Sequence, residues 1–175
     1  MKMQIKQATT ADLAAVCRFY QEVCAQQQGD EYGADWHWGV YPNRELLADR
    51  IDNGMVVEGL VNGQVASVGI LTTGEDPNYR QVSWAIAAPE QQITVLHLFA
   101  VSKNFRGQGL AKQMLQKLFE FAKNKGYVVM HLDVMKGNVP AERAYVKSDF
   151  RFAGEVVLHY EDIGDTSAHM YERKL

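Results

Sequence analysis

The chain has 175 residues, of which 47% are hydrophobic and 22% charged, and its formal net charge is −3. This composition is typical of a globular protein, and the length predicts a single domain over residues 1–175. The sequence contains no basic run, no long apolar stretch and no export signal, which argues against a nucleic-acid partner, a membrane segment and secretion. Cys17 and Cys24 lie two turns apart in a helix-like segment, too far to form a disulfide. We therefore expect reduced thiols in a cytoplasmic protein.

Apolar periodicity in the first half of the chain predicts a strand, two helices and a hairpin. In chain order these are a strand over 3–9, a helix from Thr9 or Thr10 to about Gln28, a helix opened by Pro42 or Asn43 and closed by Gly54, and strands over 55–61 and 64–73. Asn62-Gly63 stands between the last two strands and is the strongest short signal for a tight hairpin.

The second half of the chain predicts strands that alternate with helices. In chain order these are a short strand over 82–86 amid turn residues, a central strand over 93–101, an amphipathic helix over 110–125, a strand over 127–135, a helix that begins near Asn138, and a hairpin of strands over 156–162 and 167–175. Gly126 ends the amphipathic helix, whose apolar residues recur with a period of about 3.6 residues.

A glycine-rich loop joins the central strand to the amphipathic helix. Backbone N–H groups and the helix dipole attract a phosphate at such a site. Gly107 and Gly109 leave space for the anion and adopt backbone angles that other residues avoid. A P-loop would require Lys and then Ser or Thr where Leu110 and Ala111 stand, and a dinucleotide loop would require a third glycine.

Two motifs point to one family. Arg106-x-x-Gly109-x-Ala111 resembles the Arg/Gln-x-x-Gly-x-Gly/Ala signature of the GCN5-related N-acetyltransferases (GNAT), which holds the pyrophosphate of acetyl-CoA. By itself a six-residue pattern has low specificity, so the second motif decides.

The second motif follows the strand over 127–135. The residues Asn138, Ala141, Tyr145 and Phe150 resemble the family segment Asn-x-x-Ala-x-x-x-Tyr-x-x-x-Gly-Phe. In the family the asparagine starts a helix near the pantetheine arm, and the tyrosine faces the thioester sulfur. Asp149 replaces the usual glycine before Phe150, so a left-handed turn at this position is more costly.

The resemblance implies an α+β (α/β mixed sheet) protein with the GNAT acyl-CoA N-acyltransferase fold, in which helices cover both faces of a central mixed, mostly antiparallel sheet. It implies an acetyl-CoA-dependent N-acetyltransferase, without a metal, that acts on a primary amine by direct attack in a ternary complex. No cysteine lies within the motifs, which argues against an acyl-enzyme. The acceptor is a small-molecule or protein amine, and a homodimer stays open. The alternatives are a protein N-terminal or lysine acetyltransferase and a non-catalytic acyl-CoA-binding sensor.

The resemblance also implies a cofactor site along the central strand, the glycine loop and the following helix. In the family the strands that flank the glycine loop and its helix splay apart, and the pantetheine arm pairs with exposed main chain in the gap. The corresponding residues are Phe99, Ala100, Val101, Arg106, Gly107, Gln108, Gly109, Leu110, Ala111, Asn138 and Tyr145.

Acetyl transfer requires a base that takes the proton of the amine and a donor for the departing thiolate. Tyr145 is the candidate acid. His97 is the candidate base, and strand alternation predicts that it shares a face with Phe99 and Val101. Glu58 on the preceding hairpin is the rival base, since some members of the family deprotonate through a glutamate and water.

Two further segments correspond to places where family members build the acceptor pocket. These are the aromatic loop around Trp36, His37 and Trp38 and the turn that contains Glu75 and Asp76. Aromatic rings and carboxylates suit an ammonium group. The alternative is that the rings belong to the core and the carboxylates are solvated.

Overall fold

A computed structural model describes residues 3–27 and 30–175. The helices and strands in this part of the chain are β1 (Gln4–Gln7), α1 (Leu13–Gln27), α2 (Arg44–Asp52), β2 (Val56–Val61), β3 (Gln64–Thr73), β4 (Ile93–Val101), α3 (Leu110–Asn124), β5 (Val129–Met135), α4 (Val139–Val146), β6 (Arg151–Tyr160) and β7 (Gly164–Lys174). Their strands form one sheet in the order β1-β2-β3-β4-β5-β7-β6. β4 and β5 pair in parallel, and the other described neighbours pair antiparallel.

Helices cover both faces of this sheet, as predicted. Neighbouring residues of β2 and β3 point to opposite faces, in accordance with the period of a strand. Val56 and Ile70 pack in the cluster beneath α1 and α2. Val57 and Leu71 pack in the cluster beneath α3. The α+β fold with a mixed, mostly antiparallel sheet is therefore confirmed.

The predicted helix starts and the predicted hairpin are also found. Thr9 forms a capping box with Asp12 before α1, and the predicted helix end at Gln28 lies outside the described residues. Asn43 caps α2 by accepting a hydrogen bond from Leu46 N at 2.9 Å. Asn62 and Gly63 join β2 to β3 with positive φ angles of 50° and 78°, as a tight hairpin turn requires.

None of the helices within 3–27 and 30–175 is long and apolar enough to cross a lipid bilayer.

The prediction of a strand over 82–86 is wrong. This segment is irregular, and the N–H groups of Ala85 and Ile86 each donate to the carboxylate of Glu172 at 3.0 Å. A buried side chain on β7 thus satisfies donors that a neighbouring strand would otherwise pair. Trp84 from the same segment stacks on His131, with ring centroids 3.7 Å apart.

β4 contains a bulge. Its register with β3 shifts opposite Val68 and Ile70, and Leu98 adopts a left-handed φ of 50°. Tyr20 of α1 is buried behind the bulge, and its hydroxyl donates to the carbonyl oxygen of Leu98 at 2.6 Å. A bulge inserts one extra residue, so the alternation of side chains between the two faces changes at this point of β4.

Candidate functional site

β4 and β5 separate after a short parallel contact. Their pairing covers Ile93, Thr94 and Val95, while β5 stays paired with β7 from Val129 to Met135. Beyond Val95 the two facing strand edges have no strand partner within the described residues. The gap between them opens into a cleft of about 440 Å³, a volume typical of small-molecule sites. The splay implied by the resemblance is therefore present.

The cleft has two ends of different composition. Its loop end lies at the glycine loop and is lined by Asp30, Arg106 and Ala111. Its middle is lined by β4 and α4 through Phe99, Ala100, Val101, Asn138, Ala141 and Tyr145. Its acidic end is lined by Trp36, Tyr41, His97, Asp133, Tyr160 and Asp162.

The loop end is built mainly from the backbone. Gly107 and Gly109 both have a φ of 74°, and Gly109 immediately precedes the first residue of α3. A Cβ atom at either glycine would meet no atom within 4 Å, so the backbone angle is what favours glycine here. The first N–H groups of a helix have no partner within the helix and lie at the positive end of its dipole. This arrangement can hold an anion.

Arg106 reaches the same end of the cleft from the loop. Its guanidinium donates to Asp30 Oδ2 at 2.8 Å, and Lys103 Nζ donates to Asp30 Oδ1 at 3.2 Å. The hydrogen bond from Arg106 is the largest cause that lowers the pKa of Asp30 below its ordinary value. At the loop end, the Asp30 carboxylate is therefore bound to the same two cations, Lys103 and Arg106, that could otherwise bind a phosphate.

The remaining loop residues predicted to bind the cofactor do not line this cleft. Leu110 is buried beneath the loop, while Gly107 and Gln108 are exposed. Gly109 lines a neighbouring surface pocket together with Lys112.

Tyr145 lies on α4 in the middle of the cleft. Its ring packs between Phe99 and Phe150, with centroid distances of 6.1 and 5.5 Å. Burial raises the pKa of its hydroxyl, and the charge of Asp133 adds to this effect. The phenol therefore stays protonated at neutral pH, which is the state in which it can donate a proton.

The two ends of α4 match the second sequence motif. Asn138 caps the helix, and its Oδ1 accepts from Ala141 N at 3.4 Å. Asp149 adopts a left-handed φ of 65° where the family has glycine. The following N–H of Phe150 donates to Tyr145 O at 3.1 Å, which closes the turn after the helix.

The face predicted for His97 is wrong. His97 pairs with Ile70, whose side chain packs beneath α1 and α2, whereas Phe99 packs beneath α3 on the opposite face. The bulge at Leu98 adds the residue that reverses the expected alternation. His97 nevertheless lines the cleft, at its acidic end.

The imidazole of His97 lies within hydrogen-bond distance of a hydroxyl. Its Nε2 atom is 3.2 Å from Thr72 Oγ1. Burial lowers the pKa of His97, and the charges of Asp133 and Asp76 oppose this effect without reversing it. The ring is therefore neutral at physiological pH and can accept a proton.

Glu58, the rival base, does not line the cleft. Its side chain is 1% exposed, and its nearest cation within the described residues is Lys6, with Nζ at 3.8 Å from Oε2. Neither carboxylate oxygen has a hydrogen-bond partner in the described part of the chain. Burial raises the pKa of Glu58 to about 7. The structure brings His97 and Tyr145 to one cleft and leaves Glu58 outside it.

The aromatic loop contributes to the cleft only in part. Trp36 and Tyr41 line the acidic end, while Trp38 packs against the core beneath α1 and α2. The Glu75 and Asp76 carboxylates do not line the cleft, and each accepts a hydrogen bond from a residue nearby.

Sequence reasoning missed the carboxylates of the acidic end. Asp133 accepts hydrogen bonds from the hydroxyls of Tyr79 and Tyr160, the latter at 2.5 Å from Oδ2. Asp162 lies in the turn between β6 and β7, and its Oδ2 accepts from His37 N at 3.3 Å. A carboxylate in a mostly apolar strand was the available signal for Asp133. No group of three or more potential metal ligands occurs within the described residues.

The sequence matches known acetyltransferases. The model of the acetyltransferase (GNAT) family matches residues 13–150. N-acetyltransferase 8B of Rattus norvegicus is 31% identical over 114 residues, which are 64% of this chain and 45% of that protein. The human N-acetyltransferase 8B is 30% identical over 95 residues, 54% of this chain and 37% of that protein. The chain thus spans less than half the length of these curated relatives.

Solved structures of the same fold cover nearly the whole chain. A GNAT acetyltransferase from Streptococcus agalactiae superposes with a TM-score of 0.77 at 24% identity, over 99% of this chain and 95% of that one. An acetyltransferase from Salmonella typhimurium, solved with its cofactor acetyl-CoA, has a TM-score of 0.72 at 16% identity, over 100% and 95% of the two chains. Likenesses at this level establish the fold. The family match over most of the sequence, on a sheet that splays before the glycine loop, makes this chain a member of the GNAT acetyltransferase family.

Proposed function

We propose that this protein is an acetyl-CoA-dependent N-acetyltransferase that acetylates a primary amine of a small molecule in a ternary complex. The observation that carries this proposal is the cleft between β4 and β5, which leads from the glycine loop to the acidic end. The acetyl-CoA bound in the related Salmonella structure supports the same co-substrate here.

The residues along the cleft fit the parts of acetyl-CoA in order. The N–H groups at the start of α3 and the guanidinium of Arg106 would hold the pyrophosphate. Arg106 would give up its hydrogen bond to Asp30 in order to bind the phosphate. The unpaired edge of β4 at Phe99, Ala100 and Val101 would bind the pantetheine amides, with Asn138 on the opposite side. Gln108 and Leu110 would contribute through their backbone. Bound acetyl-CoA supplies the activated acetyl thioester.

Two side chains would accept and donate the protons that acetyl transfer moves. Neutral His97 accepts the proton of the attacking amine, directly or through water. Tyr145 Oη carries the proton that the leaving sulfur requires. We assign the base to His97 in place of Glu58 because only His97 lines the cleft.

The enclosure of the acidic end favours a small acceptor over a protein. The β6–β7 turn meets the aromatic loop there, where Asp162 accepts the hydrogen bond of His37 N. We infer that this contact narrows the approach for a protein N-terminus or lysine. The sensor alternative has less support, because a neutral base and a protonated phenol both line the cleft.

The first test is calorimetric titration with acetyl-CoA, ATP and NAD, followed by a panel of amines in a thiol-release assay. We expect micromolar binding of acetyl-CoA, no competition from either nucleotide, and turnover with small amines. A folded sample that does not bind acetyl-CoA would overturn the proposal. Normal binding without turnover of any amine would favour a sensor, and turnover only of peptide amines would favour a protein acceptor.

A further inference from the structure

The acidic end of the cleft holds two carboxylates, and no Lys or Arg among the described residues lines it. The His37 imidazole lies beside one of them, with Nδ1 3.7 Å from Asp162 Oδ2. Among the described residues that line the cleft, Arg106 is the only Lys or Arg, and it pairs with Asp30 at the loop end. We propose that the acceptor is an amine with a second positive charge, namely a small α,ω-diamine or polyamine. This inference depends on the proposed function and names its substrate class.

Asp133 provides a fixed negative charge in the wall of the acidic end. The hydroxyls of Tyr79 and Tyr160 both donate to its carboxylate, one to each oxygen. Two donors hold the carboxylate in position, and its charge acts on both candidate catalytic groups, His97 and Tyr145. A cationic acceptor would therefore meet this charge close to the site of transfer.

Asp162 provides the second charge, and its described partners contact only one of its two oxygens. Its side chain is 3% exposed and lines the cleft. Oδ2 accepts from His37 N, whereas Oδ1 makes no hydrogen bond within the described residues. Oδ1 is therefore available to accept a charge-assisted hydrogen bond, which an ammonium group of the acceptor would donate.

The other walls of the acidic end suit the rest of such a molecule. The rings of Trp36, Tyr41 and Tyr160 offer apolar surface for a methylene chain and aromatic faces for a cation. An amino acid would bring its carboxylate against Asp133 and Asp162, where no Lys or Arg of the described residues lines the cleft, and like charges reject a ligand. The site therefore selects for diamines and against amino acids.

The transfer acetylates one amino group of the acceptor and leaves its second amino group charged. The reacting nitrogen forms a bond to the acetyl carbon as the carbon–sulfur bond of the thioester breaks. The nitrogen loses a proton to His97, and the sulfur leaves as the thiol after it gains a proton. The products are coenzyme A and a mono-N-acetylated diamine, whose remaining ammonium group keeps its positive charge.

Three acceptors of matched length test this inference: 1,5-diaminopentane, 1-aminopentane and 5-aminopentanoate. At saturating acetyl-CoA and a single pH, we expect kcat/KM to be at least about tenfold higher for 1,5-diaminopentane than for 1-aminopentane. We expect the lowest kcat/KM for the amino acid 5-aminopentanoate. Equal values for the diamine and the monoamine would overturn the inference and leave the proposed function intact.

A pair of variants tests the carboxylate itself. Asp162→Asn should lower the ratio of kcat/KM for diamine over monoamine about tenfold. Asp165→Asn is the matched control, because Asp165 lies at the same hairpin with a side chain that is 75% exposed and contacts His159. A ratio that is unchanged in Asp162→Asn, or that falls equally in both variants, would contradict the assignment.

Calorimetric titration of the coenzyme A complex with 1,5-diaminopentane separates binding from catalysis. Diamine binding that Asp162→Asn weakens, without acetylation of any amine, would support the cation site and overturn the proposed enzymatic function. Neither binding nor acetylation of the diamine, while the monoamine is acetylated, would overturn the inference alone.

Discussion

The two ends of the cleft present opposite charges to a ligand. The loop end presents backbone N–H groups and one arginine, and its key positions are glycines with a φ of 74°. The acidic end presents the side chains of Asp133 and Asp162, which come from β5 and the β6–β7 turn. These features suit an anion at the loop end and, under our proposal, a cation at the acidic end.

This difference shows how one cleft can orient two substrates. An anionic co-substrate would be attracted to the loop end and repelled by the carboxylates, and a cationic acceptor would experience the reverse. The reacting groups would then meet in the middle of the cleft, which Tyr145 lines. Variants at each position should therefore affect one substrate and spare the other.

The largest effect should come from the loop end. Gly109→Val should abolish acetyl-CoA binding, because a branched side chain disfavours a φ of 74° and occupies the place of the phosphate. Gly126→Val is the control, since Gly126 has a φ of 90° at the other end of α3 and equally open surroundings. Calorimetry measures the affinity, and circular dichroism verifies folding. Retained binding in Gly109→Val would show that the phosphate does not bind at this loop.

A smaller effect is expected in the middle of the cleft. Tyr145→Phe should lower kcat about a thousandfold through loss of the proton donor, while the Kd of acetyl-CoA stays the same. Tyr171→Phe serves as the control because Tyr171 is a buried tyrosine that does not line the cleft. Steady-state kinetics with calorimetry separates the two parameters. Unchanged turnover in Tyr145→Phe would remove the assignment of the acid.

A pH profile sharpens the comparison at the acidic end. His97→Gln should lower kcat/KM for the amine about a hundredfold near neutral pH, where the acceptor is protonated and needs a base. The loss should shrink above about pH 9 as free amine becomes abundant. Because the pKa of His97 is lowered, the wild-type activity should hold down to below the ordinary pKa of histidine. An equal loss at every pH would indicate a packing role, and His159→Gln is the exposed control.

The smallest effect concerns the carboxyl group of Glu58, which lies outside the cleft. Burial raises the pKa of Glu58 from 4.5 to about 7, so the folded protein holds a proton that the unfolded chain releases between these values. The free energy of unfolding should therefore fall as pH rises through this window, and Glu58→Gln should remove on the order of 2 kcal/mol of that dependence. Urea denaturation at pH 5 and pH 8 measures it, with Glu22→Gln on the exposed face of α1 as control. A collapse of turnover in Glu58→Gln would return the base role to Glu58.

The loop end could be predicted because its residues are contiguous. The spacing of Arg106, Gly109 and Ala111 carries the whole motif, and the backbone follows from the glycines and the helix start. The caps at Asn43 and Asn138 and the turn at Asn62-Gly63 are likewise local signals, and the structure contains all three.

The acidic end could not be predicted because its parts are distant in the sequence. Asp133, Tyr160 and Asp162 meet the aromatic loop only once the β6–β7 hairpin has paired with β5 through β7. The face of His97 was mispredicted because leucine gives no sign that it will take a left-handed angle at a bulge. The hydrogen bond from Tyr20 to Leu98, which supports that angle, joins residues 78 positions apart.

The splay of β4 from β5 also has a consequence for thermal stability. In the described part of the chain it leaves two strand edges without a partner in the interior of the sheet, so we expect the two halves of the sheet to be held together less firmly there. A ligand that forms hydrogen bonds to these edges acts as an additional strand and binds only the folded chain. The melting temperature should therefore rise with ligand concentration. Without ligand, we expect unfolding to begin with separation of β4 from β5.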